Sequence, residues 1–281
     1  MILNCGGRLL DLSRPRVMAV LNVTPDSFSD GGRWVSVDAA VEHAVQMVEA
    51  GAALIDVGGE STRPGATPVD ADDECARVLP VIERLAAAVR VPISIDTSKP
   101  EVMQAAVAAG AGFINDVRAL REPGAIEAAR GCGVPVCLMH MRGEPRSMQA
   151  APHYERVVDE VLAFLEERVL LCEAAGIGRE RLVIDPGFGF GKTLAHNIEL
   201  LRGLDRFAAT GLPVLAGISR KAMVGALTGE RVAERRLAGS LAAAVLAARA
   251  GARILRVHDA AETVQALAVV HAVMDDGHRS D

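Results

Sequence analysis

The 281-residue sequence is poor in aromatic side chains, which make up 3% of it, and it has no excess of basic residues. Its 30 Lys and Arg against 36 Asp and Glu give a net charge of −6, whereas nucleic-acid-binding proteins normally carry a basic surface. No stretch approaches the roughly 18 apolar residues that a bilayer-spanning helix needs. We therefore expect neither a nucleic acid nor a membrane as a partner.

The sequence also lacks paired cysteines and an apolar leader. Its five cysteines form no Cys-x-x-Cys pair and do not combine with histidine at zinc-binding spacing. The opening segment MILNCGGRLLDLSRPR contains no signal-peptide core. These features predict free thiols, no structural zinc and a cytoplasmic location.

What the sequence does contain is a regular alternation of short apolar runs and longer helical patterns. The runs predict eight strands, at residues 17–22, 54–57, 93–96, 113–115, 136–139, 182–185, 214–217 and 254–257. The intervening patterns predict eight helices, at residues 37–50, 72–89, 99–109, 124–131, 154–175, 196–204, 231–250 and 262–274. Short strands separated by helices pair in parallel through right-handed crossovers.

Eight strand–helix units are the number that closes a barrel at ordinary domain length. We therefore predict an α/β protein with a single domain over residues 1–281, a (β/α)8 or TIM barrel. The first fifteen residues precede the first unit and are expected to form a β-hairpin that covers the bottom of the barrel. A doubly wound sheet remains an alternative, although no Gly-x-Gly-x-x-Gly motif follows the first strand.

Local signals mark several helix ends and two long loops. Ser98 is expected to cap a helix, with Pro100 in the first turn and Glu101 completing a capping box. Left-handed helix ends are expected at Gly51, Gly110 and Gly176. The segments 23–35 and 58–69 are long for barrel loops and rich in Gly and Ser, so we predict that they are mobile lids.

Polar residues concentrate at the ends of the predicted strands, although any one of them alone could cap the following helix. They include Asn22, Asp96, Asn115, Asp185, Lys221 and His258. In a barrel all these strand ends open on the same face, where active sites are built. Seven such ends together predict a functional site.

Longer motifs occupy the same strand ends. They read LNVTPDSFSDGG, GGESTRPGA, IDTSKPEV, INDV, LMHMRGEP, DPGFGFGK, GISRKAMVG and RVHD. By these motifs, across residues 17–259, the chain resembles the dihydropteroate synthase family. The resemblance implies a (β/α)8 barrel that joins 6-hydroxymethyl-7,8-dihydropterin diphosphate to p-aminobenzoate. The products would be 7,8-dihydropteroate and diphosphate, a step of folate biosynthesis.

The chemistry of a pterin indicates which residues could bind it. A pterin presents an amide N–H beside an exocyclic amine, and one carboxylate can accept both hydrogen bonds. We predict that Asp185 does so, with Asn115 and Asp96 adding in-plane hydrogen bonds, and the resemblance points to the same three residues. Lys221 can donate to the ring and help to neutralise the anion. Asp116 is expected to face away, because successive strand residues alternate in direction.

The departing diphosphate needs positive charge and N–H donors. The candidates are Arg63, Arg256 and His258, which with Lys221 form the predicted catalytic set. Asn22 is expected to help hold a Mg²⁺ ion that bridges phosphate oxygens, since this metal binds oxygen and keeps several waters. The ion would stabilise the leaving group as a Lewis acid. Displacement at the pterin methylene would then have strong bond-breaking character.

For p-aminobenzoate the resemblance implies Thr62, Pro64, Phe190, Ser219 and Lys221 as contacts. Phe190 stands among glycines and can cover a flat ring. Members of the family often carry a hydroxyl residue after this lysine, whereas this chain has Ala222. The resemblance also suggests a homodimer, with the Ala-rich helices 237–250 and 262–274 as candidate surfaces, and competition by sulfonamides.

Three other functions compete with this interpretation. A pterin-binding methyltransferase barrel would share Asp96, Asn115 and Asp185 but would have no use for the basic cluster. A non-catalytic paralogue would bind pterin without forming dihydropteroate, yet both predicted lid motifs are whole. A structural scaffold would not need polar residues concentrated at one barrel mouth.

Overall fold

The computed structural model describes residues 1–23, 32–60, 69–143 and 148–274, and for residues 32–36 only the helical backbone is described. The strands are β1 (Ile2–Cys5), β2 (Arg8–Asp11), β3 (Arg16–Asn22), β4 (Leu54–Gly58), β5 (Ile93–Asp96), β6 (Phe113–Asp116), β7 (Val136–Met139), β8 (Leu182–Asp185), β9 (Leu215–Ala216) and β10 (Ile254–Val257). The helices are α1 (Gly32–Glu49), α2 (Ala71–Ala88), α3 (Pro100–Ala108), α4 (Ala125–Cys132), α5 (Val157–Ala174), α6 (Leu194–Arg202), α7 (Leu204–Ala208), α8 (Ala222–Thr228), α9 (Leu237–Arg249) and α10 (Ala260–Met274).

Strands β3 to β10 form one parallel sheet in the order β8-β7-β6-β5-β4-β3-β10-β9. A parallel bridge between Ile184 of β8 and Val214 joins its two edges, and the Ile184 N–H donates to the carbonyl of Pro213 at 3.0 Å. The sheet is therefore a nearly closed barrel with helices around it. This confirms the predicted (β/α)8 barrel, and the alternative of an open, doubly wound sheet is wrong.

Alternate positions along each strand belong to two different cores. One core lies between the sheet and the helices and contains side chains such as Val17, Ile55 and Ile95. The other lies inside the barrel, where Met18, Leu54 and inward residues of the other strands pack together. This period of two is the ordinary geometry of a strand, and it decides which polar side chains reach the barrel interior.

The N-terminal hairpin closes the bottom of the barrel, as predicted. Strands β1 and β2 pair antiparallel, with Leu3 opposite Leu10. Both leucines are buried in the interior core together with Met18 and Leu54. The Arg8 guanidinium fastens the hairpin from outside by donating to the carbonyl of Val91 at 2.7 Å.

Several local predictions need correction. The residue before the first turn of α3 is Lys99, without a side-chain cap, and the Ser98 hydroxyl donates instead to the buried carboxylate of Asp116. The predicted capping box is therefore wrong, although Pro100 does open the helix. Gly51, Gly110 and Gly176 have φ values of +102°, +116° and +91°, which confirms the left-handed helix ends.

The helix boundaries also differ from those predicted. Helix α1 begins at Gly32, inside the predicted loop 23–35, and residues 24–31 lie outside the described part of the chain. Most of the second predicted lid, residues 61–68, also lies outside it. The helix predicted at 196–204 is two helices, α6 and α7, and α8 was not predicted. None of the described helices has the length and apolar character needed to span a membrane.

Candidate active site

The polar interior lies at the carboxyl ends of the barrel strands. The register pairs Asp56 with Ser94, and Asp96 with Asn115, so these four side chains share the inward side of β4, β5 and β6. Asp116 lies on the outward side as predicted, where it accepts the N–H groups of the turn that follows β6. All four inward side chains are buried.

Arg256 of β10 is the central cation of this interior. Its Nε donates to Asp56 Oδ2 and its Nη2 to Asp96 Oδ2, both at 2.6 Å. The same Asp56 oxygen accepts Asn115 Nδ2 at 3.1 Å, so the four residues form one network. Burial opposes the charge on Arg256, but the two carboxylates outweigh it and raise the pKa of the guanidinium.

The network contains more acceptors than donors. Within the part of the chain that the structure describes, the buried atoms Asp56 Oδ1, Asp96 Oδ1 and Ser94 Oγ have no hydrogen-bond partner. Burial raises the pKa of Asp96 to about 7, and the neighbouring charge of Asp56 adds to this while Arg256 opposes it. Buried acceptors without partners are costly, so this interior favours a ligand that brings N–H donors.

Asp185 ends β8 on the inward side, next to Met139 in the register. Its Oδ1 accepts the backbone N–H of Gly187 at 2.7 Å. Its Oδ2 has no partner among the described residues. Burial raises the pKa of Asp185, and the charge of Lys221 opposes the shift. One oxygen of this carboxylate is thus held by its own turn, and the other is left for a ligand.

Lys221 stands between the turn after β8 and strand β9. Its Nζ donates to the carbonyl of Phe188 at 2.5 Å and lies 4.6 Å from the centre of the Phe190 ring. Burial lowers the pKa of Lys221 to about 8, against the opposing charge of Asp185. The predicted pterin contacts and two predicted p-aminobenzoate contacts, Phe190 and Lys221, therefore meet at one barrel mouth.

An apolar wall borders the Phe190 side of the mouth. Phe190 packs against a buried cluster formed by Val117, Met139, Met141 and Met148. Methionine side chains adapt to the outline of a neighbouring ring, and the sulfur makes favourable contacts with aromatic edges. This wall can hold the flat face of an aromatic ligand beside the polar interior.

Ser219 follows β9, which lies next to β8 in the barrel, and His258 follows β10, which pairs with β9. The Ser219 hydroxyl oxygen is 3.2 Å from His258 Nδ1 and accepts the backbone N–H of His258 at 3.2 Å. Next to them, Arg220 has a φ of +58° and forms an ion pair with Asp259. The pair fixes the backbone that carries Ser219 and Lys221.

Asn22, the last residue of β3, is half-buried at the rim of the same mouth. Its side-chain oxygen faces Gly58 on β4, where a Cβ would lie 3.8 Å from Oδ1 and 3.7 Å from Asp96 Oδ2. The absent side chain leaves room for a ligand between the two oxygens. Thr62, Arg63 and Pro64 lie outside the described residues.

Sequence reasoning assigned no role to Asp56, Lys99 or Lys192. Asp56 belongs to the predicted strand 54–57, and counting alternate residues from Leu54 places it inside the barrel. Lys99 forms ion pairs with Glu60 and with the buried Glu74, the latter at 2.6 Å. Across the described residues no cluster of three or more His, Cys, Asp or Glu side chains forms a metal site.

Comparisons with known proteins agree with this geometry. A family profile described as "Pterin binding enzyme" matches residues 18–258. The chain is 55% identical to the dihydropteroate synthase of Escherichia coli (strain K12) over 268 residues, 95% of each chain.

Solved structures agree as well. The dihydropteroate synthase of Xanthomonas albilineans with 4-aminobenzoic acid superposes with a TM-score of 0.93 at 58% identity, covering 98% of this chain and 99% of that one. The structure from the same organism in complex with 7,8-dihydropteroate gives a TM-score of 0.91 at 55% identity, covering 99% of this chain and 100% of that one. The chain therefore belongs to the family of pterin-binding enzymes and, within it, to the dihydropteroate synthases.

Proposed function

We propose that the barrel mouth joins 6-hydroxymethyl-7,8-dihydropterin diphosphate to p-aminobenzoate, giving 7,8-dihydropteroate and diphosphate for folate biosynthesis. The observation that carries the proposal is the acceptor-rich interior formed by Asp56, Asp96 and Asp185 next to Lys221 and Phe190. This interior complements a donor-rich heterocycle, and the aromatic wall beside it suits a second, flat substrate.

The pterin ring would lie on the polar interior. Asp185 would accept the ring N–H and the exocyclic amine with its two oxygens, since Oδ1 can accept a second hydrogen bond beside that of Gly187. Asn115 and Asp96 would bind the ring edge in its plane. A hydrogen bond to a charged partner contributes about 1.5–3 kcal/mol, so three such contacts are enough to fix the ring. Lys221 would donate to the remaining acceptor of the ring.

The p-aminobenzoate would bind against Phe190, whose ring already lies 4.6 Å from the Lys221 ammonium. Thr62, Pro64 and Ser219 complete the proposed contacts. Ser219 is held by His258, so its hydroxyl is oriented before the substrate arrives. The amine would then approach the pterin methylene from the aromatic side of the mouth.

The diphosphate would leave toward Arg63, Arg256 and His258. Two nitrogens of Arg256 bind Asp56 and Asp96, which leaves Nη1 for the anion. In the reaction the bond between the methylene carbon and oxygen breaks, and its electron pair leaves with the diphosphate. The amine nitrogen then bonds to the carbon and releases a proton. The electron-rich dihydropterin would stabilise the cation that develops, so the carbon–oxygen bond would break ahead of formation of the carbon–nitrogen bond.

A Mg²⁺ ion fits the rim residues. Asn22 offers an amide oxygen facing the space beside Gly58, and one or two protein oxygens suffice for an ion that keeps its waters. When bound, the ion would supply Lewis-acid stabilisation of the phosphate oxygens. The variant Asn22→Ala should raise the Mg²⁺ concentration needed for half-maximal diphosphate binding about tenfold, whereas an unchanged requirement would exclude Asn22 as a ligand.

The reaction is tested by measuring diphosphate and dihydropteroate together. We expect diphosphate release that depends on p-aminobenzoate, with one dihydropteroate formed for each diphosphate. A sulfonamide, which presents a similar arylamine, should compete with p-aminobenzoate and not with the pterin substrate. Pterin binding without any release would identify a non-catalytic paralogue and would contradict the proposal.

We further propose that the enzyme is a cytoplasmic homodimer. Helices α9 and α10 pack side by side and leave Leu246 and Val273 exposed, at 56% and 74%. Exposed apolar side chains on adjacent helices are typical of a surface that another chain covers. The substrates are small anions and require no further macromolecular partner.

A further inference from the structure

The turn after β8 is built around a buried lysine that has no carboxylate partner among the residues that the structure describes. Lys192 Nζ donates to the carbonyl oxygens of Gly187 at 2.9 Å and Phe190 at 3.0 Å, and its third short contact is His140 Nδ1 at 2.9 Å. The two carbonyl oxygens can only accept, so Nζ donates a hydrogen to each of them in either protonation state. The side chain is 3% exposed, so water does not compete for these bonds.

His140 is a suitable acceptor for this lysine. Burial lowers the pKa of His140 to about 2, so the imidazole is neutral and Nδ1 can accept a hydrogen bond. Burial also lowers the pKa of Lys192, opposed by the charge of Asp185. The residue after β7 is thereby tied to the turn after β8, and its backbone N–H also donates to the carbonyl of Asp185 at 2.9 Å.

The turn lies directly on the neighbouring chain segment. Gly187 has a φ of +69°, and a Cβ there would overlap the carbonyl oxygen of His140. Gly191 has a φ of +64°, and a Cβ there would overlap the carbonyl oxygen of Arg142. Both of these contacts are made by bare backbone. The buried Phe188 side chain also anchors the turn, as do the hydrogen bonds from the Gly189 N–H to Asn197 Oδ1 and from Lys221 to the Phe188 carbonyl. Lys192 adds the restraint at Phe190 itself, because it donates to the carbonyl of that residue.

The two ends of this turn carry contacts proposed for different substrates, Asp185 for the pterin and Phe190 for p-aminobenzoate. Asp185 is fixed by the sheet, since it belongs to β8 and its backbone pairs in the ladder with Met139. Phe190 lies beyond the sheet, and its carbonyl accepts directly from Lys192. Loss of the lysine should therefore move Phe190 more than it moves Asp185.

We propose that Lys192 is a positioning residue for p-aminobenzoate: it fixes the Gly187–Phe190 turn so that the Phe190 ring stands beside Lys221 at the barrel mouth. The proposal rests on the assignment of Phe190 to p-aminobenzoate in the proposed function. Lys192 touches neither substrate and acts through Phe190.

The test compares Lys192→Met with wild type in steady-state kinetics for each substrate. We expect the KM for p-aminobenzoate to rise about tenfold or more, while kcat and the KM for the pterin substrate change less than about threefold. Phe190→Ala should show the same selective rise. The double variant should be no worse than Phe190→Ala alone, because residues that act through one contact are not additive.

Arg181→Met is the matched control. Arg181 precedes β8 at the opposite end of the barrel, and its guanidinium also donates to backbone carbonyls, those of Ala129 at 3.0 Å and Val134 at 2.8 Å. This variant should lose stability in urea unfolding without changing either KM. A general effect of losing a cation bound to carbonyls would therefore appear in both variants.

Four results would overturn the proposal: an unchanged KM for p-aminobenzoate in Lys192→Met, an equal change for both substrates, additive effects with Phe190→Ala, or the same change in Arg181→Met. If Phe190→Ala leaves this KM unchanged, the assignment of Phe190 fails and the positioning role fails with it, while the reaction itself stands. If wild type forms no dihydropteroate, the proposed function is wrong, and the positioning role that rests on it is wrong as well.

Discussion

At the scale of single residues, the barrel interior holds carboxylate oxygens without partners among the described residues. The carboxylates of Asp56, Asp96 and Asp185 lie beside Arg256 and Lys221, and the charge of Lys192 also acts on Asp185. Taking an ion out of water costs several kcal/mol even after relaxation, and only good geometry and further hydrogen bonds offset this. The orphaned carboxylate oxygens are therefore a cost to the free protein that a donor-rich ligand can relieve.

The lowered pKa of Lys221 predicts a pH dependence of activity. Its pKa is lowered to about 8, so the ammonium proposed to contact the substrates is lost as the pH rises through that value. We expect kcat/KM for p-aminobenzoate to fall above about pH 8. In Lys221→Arg the guanidinium stays charged, so the activity that remains should not fall until a much higher pH.

The free energy of unfolding should change with pH in the opposite direction to the activity. Between about pH 8 and the ordinary lysine value of 10.5, the unfolded chain holds a proton that the folded chain has released. The free energy of unfolding of wild type should therefore rise with pH in this interval, relative to Lys221→Met. Urea unfolding at pH 7.5 and 9.5 measures the difference, and a fall would contradict the assignment of this pKa.

At the scale of elements, the hairpin of β1 and β2 closes the barrel and takes no part in the site. Leu10 is 3% exposed and packs in the interior core, whereas its neighbour Leu9 is 67% exposed. Leu10→Ala should lower the free energy of unfolding by about 2–5 kcal/mol. Leu9→Ala should change it by less than about 0.5 kcal/mol.

The kinetic constants complete this test. Because the hairpin lies at the amino ends of the strands, Leu10→Ala should leave both KM values within about twofold of wild type at a temperature where it remains folded. Urea unfolding and initial rates on the same preparations measure both quantities. A large change in KM would show that the bottom of the barrel shapes the mouth.

The elements also show what local sequence patterns could predict. Four strands, among them Ile93–Asp96 and Leu182–Asp185, have the predicted ends, because short apolar runs between turn residues are clear signals. The capping box at Ser98 failed because a distant buried carboxylate, Asp116, takes the hydroxyl. Helix α8 was missed because its seven residues span about two turns and show no clear period.

At the scale of the whole molecule, the period of two and the parallel register put Asp96, Asn115 and Asp185 on the inward side and Asp116 on the outward side. The first three were proposed from strand ends, from the hydrogen-bonding groups of a pterin and from the family resemblance. The role of Arg256 as the partner of Asp56 and Asp96 could not be predicted, since these residues lie 200 and 160 positions before it in the sequence. Only the closed barrel brings these strands together.

The proposed dimer also belongs to this scale. Leu246→Asp combined with Val273→Asp should convert the dimer to a monomer in sedimentation velocity experiments, since charge on a covered apolar surface is costly. The matched control is Leu170→Asp, since Leu170 is 64% exposed on α5. It should leave the sedimentation coefficient unchanged. A wild type that sediments as a monomer at micromolar concentration would contradict the dimer.

The most direct test of the account is diphosphate release by wild type and Asp185→Asn, with and without p-aminobenzoate, alongside pterin binding by calorimetry. Asparagine keeps the shape of the side chain but removes the charge that we propose pairs with the pterin donors. We predict amine-dependent release in wild type and a loss on the order of 100-fold in kcat/KM and in pterin affinity for the variant, as expected for losing charge-assisted hydrogen bonds. Equal affinity and equal release in Asp185→Asn would contradict the assignment of the pterin to this carboxylate.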